Sequence, residues 1–239
     1  MRLKSTVLYK GKAKNVHSTS DENIIRLEYL NQATALNGKK KDEIEGKASL
    51  NNQITSLIFS DLKKRGIENH WLEMISDTEQ LVEKVTIIPL EVVLRNVATG
   101  SFTKRLGIEE GAILPKPIIE FYFKDDALDD PFINDDHIAF LAIATDEELD
   151  FIRNQTLKIN TALIDIFSQL DVTLVDFKLE FGKNAAGQII LSDEITPDTC
   201  RLWDKQTGQS LDKDIYRKDM GEIVPVYQEI LTRLKERGE

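Results

Sequence analysis

The sequence has a single cysteine, Cys200, so neither an internal disulfide nor a thiolate metal cage can form. Long apolar runs are missing too, and none approaches the roughly 20 residues that a bilayer-spanning helix needs. The opening stretch MRLKSTVLYKGKAKNV lacks the apolar core and small-residue cleavage pattern of a secretory leader; a cytoplasmic protein without membrane attachment is expected. Histidine is scarce, and His17, His70 and His137 share no metal-ligand spacing, so they are expected as surface or core residues. Neither GxxxxGK[ST] nor the spaced glycines of a dinucleotide fingerprint occurs, which excludes two common phosphate cradles. Positive charge is in deficit: 31 Lys and Arg against 41 Asp and Glu give a formal net charge of -10. That balance argues against broad attachment to nucleic acid, so any phosphate site must be local.

What is present suits one compact body of two lobes: 239 residues, 41% hydrophobic and 30% charged. Short β-like runs over residues 7–9, 16–18 and 24–29 predict a small antiparallel sheet. From Gly46 the apolar positions Leu50, Ile54, Leu57, Ile58 and Leu62 recur at helical spacing towards Gly66, a helix covering that sheet. Two β segments over 81–96, broken near Pro89, form the expected connection, with a lobe boundary near Val85 that divides the chain into 1–85 and 86–239. A strand over 118–123 with a long loop follows. From Asp146 the residues Leu149, Ile152, Thr156, Ile159, Leu163, Ile166, Phe167 and Leu170 fall on one stripe and predict a core helix. A hairpin over 174–181 and 189–193 and a last helix over 223–234 complete the chain.

Four segments carry residues suited to chemistry. In GKAK, Lys12 and Lys14 stand two apart on extended chain, so both ammonium groups reach one side, where phosphate could be neutralised; an exposed Lys-rich turn accounts for the same pattern, as a solvated loop does for residues 39–41. In DFKLEFG, Asp176, Lys178 and Glu180 share one strand face. An ordinary solvated face reads the same way, but the partner strand returns Asp193 and Glu194 to this neighbourhood, and two carboxylates on adjacent strands suit Mg²⁺ that takes its other ligands from phosphate and water. Period two leaves open which of the two acids points inward. In VLRNVATGSFTKRLG, Arg95 ends a strand, Gly100 permits a tight turn and Ser101 is placed to cap a short helix. In DEITPDTCRLWD a Pro-containing loop delivers Arg201 beside the acids, for bidentate binding of an anion or for pairing with Asp198 or Asp204.

Taken in order, LYKGKAK, ATALNG, SDTEQLV, PLEVVLRNVATGSFTKRLGIEEG, LVDFKLEFG and DEITPDTCRLWD resemble the phosphoribosylaminoimidazole-succinocarboxamide synthases essentially end to end. The resemblance implies an α+β, two-lobed, ATP-grasp-like fold, with a small antiparallel N-terminal sheet lobe that binds nucleotide and a larger α+β C-terminal lobe that binds substrate and metal. It implies a ligase reaction of purine biosynthesis in which ATP, a carboxylated aminoimidazole ribotide and L-aspartate give the succinocarboxamide ribotide, ADP and phosphate. By the family pattern Lys12, Ala13, Lys14, Val16, Val85, Ile87 and Lys124 would contact ATP, and Glu180 and Asp193 would carry Mg²⁺. Arg95, Ser101, Lys178 and Arg201 would hold the ribotide, with Asn37 as a further substrate contact where the family often has Asp. Ile195 and Thr196 stand where Phe and Ser are common, and no proposed ligand is removed. Small-molecule substrates and no nucleic acid are expected, with a homodimer as the assembly.

In such a reaction phosphoryl transfer turns a poor acyl donor into an acyl phosphate, which the amine of aspartate attacks. The protein's part is positioning and charge neutralisation, with Lys178 and Asp176 as catalytic candidates, the latter to accept the amine proton. A small-molecule kinase and a nucleotide-sensing module are the alternatives. The kinase would turn over without an amine, the sensor not at all.

Overall fold

The computed structural model describes residues 6–35 and 40–237; Leu36, Asn37 and Lys39 lie outside the described residues. Along the chain run β1 (Val7–Lys10), β2 (Lys14–Ser18), β3 (Ile24–Tyr29), β4 (Gln32–Ala35), β5 (Lys40–Glu43), α1 (Lys47–Lys64), β6 (Trp71–Ser76), β7 (Glu79–Glu83), β8 (Thr86–Ile87) and β9 (Leu90–Val97). Then come α2 (Gly100–Leu106), β10 (Ile113–Phe123), β11 (Phe132–Ile133), α3 (Asp135–Phe140), α4 (Asp146–Ser168), β12 (Val172–Lys183), β13 (Ile189–Ser192), β14 (Cys200–Asp204), α5 (Asp214–Arg217) and α6 (Ile223–Glu236).

The first sheet is antiparallel, in the order β1-β2-β3-β7-β6. Its first three strands match the sequence expectation. Strand β7 overlaps the β segment expected from residue 81, whereas β6 goes unread, because it is exposed at five of its six positions and shifts register twice against β7, so it carries no inside-outside alternation to read. Lys40 and Lys41, expected in a solvated loop, belong to β5, where the Lys40 ammonium donates to the Tyr216 carbonyl at 2.9 Å and lies 4.0 Å from that ring's centroid. Helix α1 does more than cover the sheet. Its Leu50, Ile54, Ile58, Phe59 and Leu62 enter the main core alongside Tyr227 and Ile230 of α6, whereas Leu57 turns to solvent.

The second sheet runs β11-β10-β9-β12-β13, with β8 and β14 also paired to β12. Strand β12 is therefore its axis. Asp176 has a strand on either side, with Arg95 of β9 and Arg201 of β14 as its direct partners in register. Four residues on, Glu180 pairs with Ser192 of β13, and Gly182 pairs with both Ile190 and Ile87. A Cβ at Gly182 would lie 2.6 Å from the Val85 side chain, so the absence of a side chain lets the crossing from β7 to β8 press directly on β12. Strand β10 starts at Ile113, five residues ahead of the expected start. Pro115 and Pro117 cannot donate to the ladder, and the pairing with β9 shifts register between Ile113 and Ile118.

Helix α4 packs on β12 and buries Leu149, Ile152, Thr156, Ile159, Leu163, Ile166 and Phe167, the stripe anticipated from spacing. Thr145 and Glu148 close a reciprocal capping box that fixes where it starts.

His70 ties the two sheets together. Its N–H donates to the Leu191 carbonyl of β13 at 2.9 Å, and its carbonyl accepts from Glu83 of β7 at 2.7 Å. Burial pushes its imidazole down to about 3, and the nearby Lys14 ammonium adds to that shift. Folding therefore favours the neutral ring, while the unfolded chain takes up a proton near pH 6.5. The contribution is complete above pH 6.5 and declines as pH falls towards 3, by up to about 1.4 kcal/mol per unit. In urea titrations the wild-type chain should lose stability more steeply between pH 6.5 and 4 than a His70→Gln chain, and equal slopes would refute the assignment.

Candidate functional site

Strand β12 decides the site because its charged face is not solvated. Asp176 and Glu180 are each 4% exposed, on a strand with only three half-buried positions among its twelve residues. Buried charge is tolerated only when paired, and the pairs sort into two adjoining clusters.

The first cluster gathers arginines around Asp176. Its Oδ2 accepts from Arg95 Nη1 at 2.6 Å and from Arg201 Nη1 at 2.8 Å. Each guanidinium is held from its other edge, Arg95 Nε by Glu120 at 2.7 Å and Arg201 Nε by Asp214 at 3.0 Å. Arg201 thus pairs with Asp176 and Asp214, not with Asp198 or Asp204. Burial pushes the Asp176 carboxyl up, and Arg201 and Arg95 only partly draw it back. Ser101 Oγ lies 3.4 Å from Arg95 Nη2, but it does not cap α2. Thr99 holds that position, and its own hydroxyl is engaged with Glu110 at 2.8 Å. Gly100 has a left-handed φ of 62°, and a Cβ there would sit 2.8 Å from Arg201 Nη2, so the glycine serves both the turn and the close approach of the guanidinium.

The second cluster gathers lysines around the acids. Lys178 Nζ donates to Glu180 at 2.6 Å, to Asp193 at 3.1 Å and to Glu91 at 3.3 Å. Lys124 reaches Glu180 at 3.0 Å, and Lys14 reaches Asp193 at 2.5 Å and Glu194 at 3.4 Å. Burial opposes the charge of Lys14 and Lys178, yet the neighbouring carboxylates outweigh it and hold both ammonium groups well above their usual range. Burial likewise pushes Asp193 up, but Lys14 and Lys178 prevail and keep it far below the usual carboxylate range.

The ambiguity between Asp193 and Glu194 has a structural answer: both acids face Lys14. Asp193 has a left-handed backbone with φ of 61°, which ends the strand alternation at Ser192 and turns consecutive side chains to the same side. Period two could not anticipate that for a non-glycine residue.

The remaining candidates lie where the N-terminal strands meet these clusters. The GKAK turn closes through Gly11 N–H to the Lys14 carbonyl at 2.8 Å, and the Ala13 carbonyl accepts from Leu30 at 2.8 Å. Lys12 bridges to Asp126, in the turn after β10, at 2.7 Å. Val16 packs on the small core of Leu27, Tyr29, Ala48 and Val82. Val85 abuts Gly182, and Ile87 is exposed at the junction of the sheets.

A cavity of about 200 Å³ opens between the clusters, lined among others by Glu91, Arg95, Asp176, Lys178, Arg201 and Arg217. Sequence reasoning missed two of these. Glu91 could have been found, since it shares a β9 face with Val93 and Arg95. Arg217 sits in a four-residue helix too short to carry a period.

Among the described residues no group of three or more His, Cys, Asp or Glu could hold a metal ion. Glu180 and Asp193 nevertheless lie close enough to share one cation already, the Lys178 ammonium, at 2.6 and 3.1 Å. That donor set fits a hard divalent cation whose shell is completed by phosphate and water.

Comparison with known proteins agrees in extent. The family model described as SAICAR synthetase matches residues 7–234. The phosphoribosylaminoimidazole-succinocarboxamide synthase of Listeria monocytogenes serovar 1/2a is 57% identical over 230 residues, covering 96% of this chain and 97% of that protein. Among solved structures, the synthase from Ehrlichia chaffeensis superposes with a TM-score of 0.94 at 42% identity, covering 96% of this chain and 98% of that one. A SAICAR synthetase in complex with ADP superposes with a TM-score of 0.92 at 44% identity, covering 97% of each chain. With a model matched over nearly its whole length and relatives this similar, the chain belongs to the SAICAR synthetase family.

Proposed function

We propose that this chain is the ATP-dependent ligase that joins L-aspartate to the carboxylate of a carboxylated aminoimidazole ribotide in purine biosynthesis, releasing ADP and phosphate. One observation carries the reading: a buried strand holds, at Asp176, a cavity lined by Arg95, Arg201 and Arg217 and, at Glu180, a lysine–carboxylate cluster, with Lys178 between them.

The ribotide is held by Arg95, Ser101 and Arg201, and ATP lies over Lys12, Ala13, Lys14 and Val16, with Val85, Ile87 and Lys124 completing its site. Three ammonium groups already face four carboxylates here, Lys14, Lys124 and Lys178 against Glu91, Glu180, Asp193 and Glu194. A triphosphate therefore needs further positive charge. Mg²⁺ on Glu180 and Asp193 would supply it, offsetting charge on the phosphates.

The γ-phosphoryl group passes from ATP to a carboxylate oxygen of the ribotide as the bond to the β-phosphate breaks. The α-amine of aspartate then attacks the acyl carbon, and phosphate leaves with that oxygen. Lys178, two residues from each acid on the same strand face, stabilises the transferring group. Asp176 orients Arg95 and Arg201. Its raised basicity also suits it to accept the amine proton. By this reading residues 1–85 are the nucleotide-binding lobe and residues 86–239 the substrate- and metal-binding lobe, and Asn37 is a further substrate contact. Among the described residues no helix is long and apolar enough to cross a membrane. The exposed Ile113 and Phe140 are in keeping with a homodimer, for which light scattering should give about twice 27.2 kDa.

ADP release measured with ATP, ribotide and aspartate, each omitted in turn, should require all three. Turnover without aspartate would point to a kinase instead. Asp176→Asn should lower kcat by about 100-fold or more, and full turnover at saturating aspartate would exclude the proton-accepting role. Gly100→Ala, which displaces Arg201, should raise KM for the ribotide by about tenfold, the loss of one charge-assisted hydrogen bond; an unchanged KM would remove Arg201 from the ribotide site.

A further inference from the structure

The left-handed backbone at Asp193 is the one irregularity on which the metal–phosphate cluster depends, and a non-glycine residue in that conformation costs of order 1 kcal/mol or more unless its surroundings hold it. Asp193 follows the last residue of β13, so continued alternation would send its carboxylate and that of Glu194 to opposite faces. Something must fix the turn.

Thr199 Oγ1 donates to the Glu194 carbonyl at 3.3 Å and Thr55 Oγ1 accepts from Ile195 N–H at 3.0 Å, both beyond the turn. At the Asp193 carbonyl itself the side chain in reach is His70, which the activity described so far does not use. Its Nε2 lies 3.2 Å from the Asp193 carbonyl. A carbonyl only accepts, so Nε2 carries the proton and donates. The ring cannot easily move away. It is 4% exposed, and it meets Phe59 edge-on at 5.6 Å between centroids. Its backbone is fixed as well, since residues 68–70 run beside β13: Leu191 N–H donates to the Glu68 carbonyl at 3.2 Å, and His70 N–H donates to the Leu191 carbonyl at 2.9 Å. The main chain of His70 thus grips β13 two residues before the turn, and its side chain grips the turn itself.

We propose that His70 is a positioning residue of the metal–phosphate site, holding the Asp193 main chain left-handed so that its carboxylate points at the cation rather than away from it. The inference rests on the reading that Asp193 is a metal ligand. His70 touches neither cation nor phosphate, and it acts through the Asp193 carbonyl.

The test uses Mn²⁺ as the probe, its affinity for the full chain with ADP followed by electron paramagnetic resonance. His70→Leu, which fills the space without a donor, should weaken Mn²⁺ binding by about tenfold or more, the usual effect of losing an outer partner of a metal ligand. His70→Gln, whose amide nitrogen falls close to the position of Nε2, should restore binding to within about threefold of wild type. ADP affinity in the presence of a chelator should be unchanged in both. If the Leu chain does not fold, His70→Asn, whose amide falls short of the carbonyl, takes its place against Gln with the same tenfold difference expected. Wild-type affinity in the chain without a donor, equal weakening in the Gln chain, or parallel loss of metal-free ADP binding would each overturn the proposal. Failure of the wild-type chain itself to bind Mn²⁺ with ADP would instead overturn the metal site on which it rests.

Discussion

Everything near the site follows from the burial of charge along β12. A carboxylate at Asp176 or Glu180 taken out of water is tolerable only if cations meet it at hydrogen-bonding distance. Asp176 meets Arg95 and Arg201 on the strands in register beside it, and Glu180 meets Lys178 of its own strand and Lys124 just beyond β10. Removing one member of such a buried pair typically costs about 3–5 kcal/mol, because the other is left uncompensated. The arginines, lysines and acids are thus structural obligations of the sheet as well as candidates for chemistry.

The same obligation links the two halves of the chain. Lys14 belongs to the first sheet, yet its ammonium is satisfied by Asp193 and Glu194 at the end of β13. Lys12 reaches Asp126 in the same way, but that pair is largely exposed and contributes little. Apolar packing supplies the stronger link, since α1 buries its own core residues against α6 at the far end of the chain. Movement between the halves must therefore occur around a shared core.

Much of this was legible in the sequence where periodicity could act. The stripe of α4 and the alternation of β12 were readable because each faces one uniform environment. Alternation alone could not tell whether the face with Asp176 and Glu180 met water or a site, since that depends on strands distant in sequence. Spacing failed outright at Asp193, where one dihedral angle outside the strand region changes which way two acids point. It had nothing to read in β6, exposed along nearly its whole length, or in α5, a single turn that carries Arg217. His70 was passed over because its role lies in one contact with a main-chain carbonyl, which leaves no trace in composition or spacing.

The triad of Arg95, Asp176 and Arg201 has a further consequence for how the sheet assembles. Three adjacent strands each contribute one charge at the same level, and a slip of one residue in either pairing would turn an arginine to the opposite face. Asp176 would then be buried with half its partners and an unpaired guanidinium would enter the hydrophobic core, a penalty that shifted apolar residues alone would not impose. The three charges that line the candidate site therefore also favour the native register of the sheet over misaligned ones.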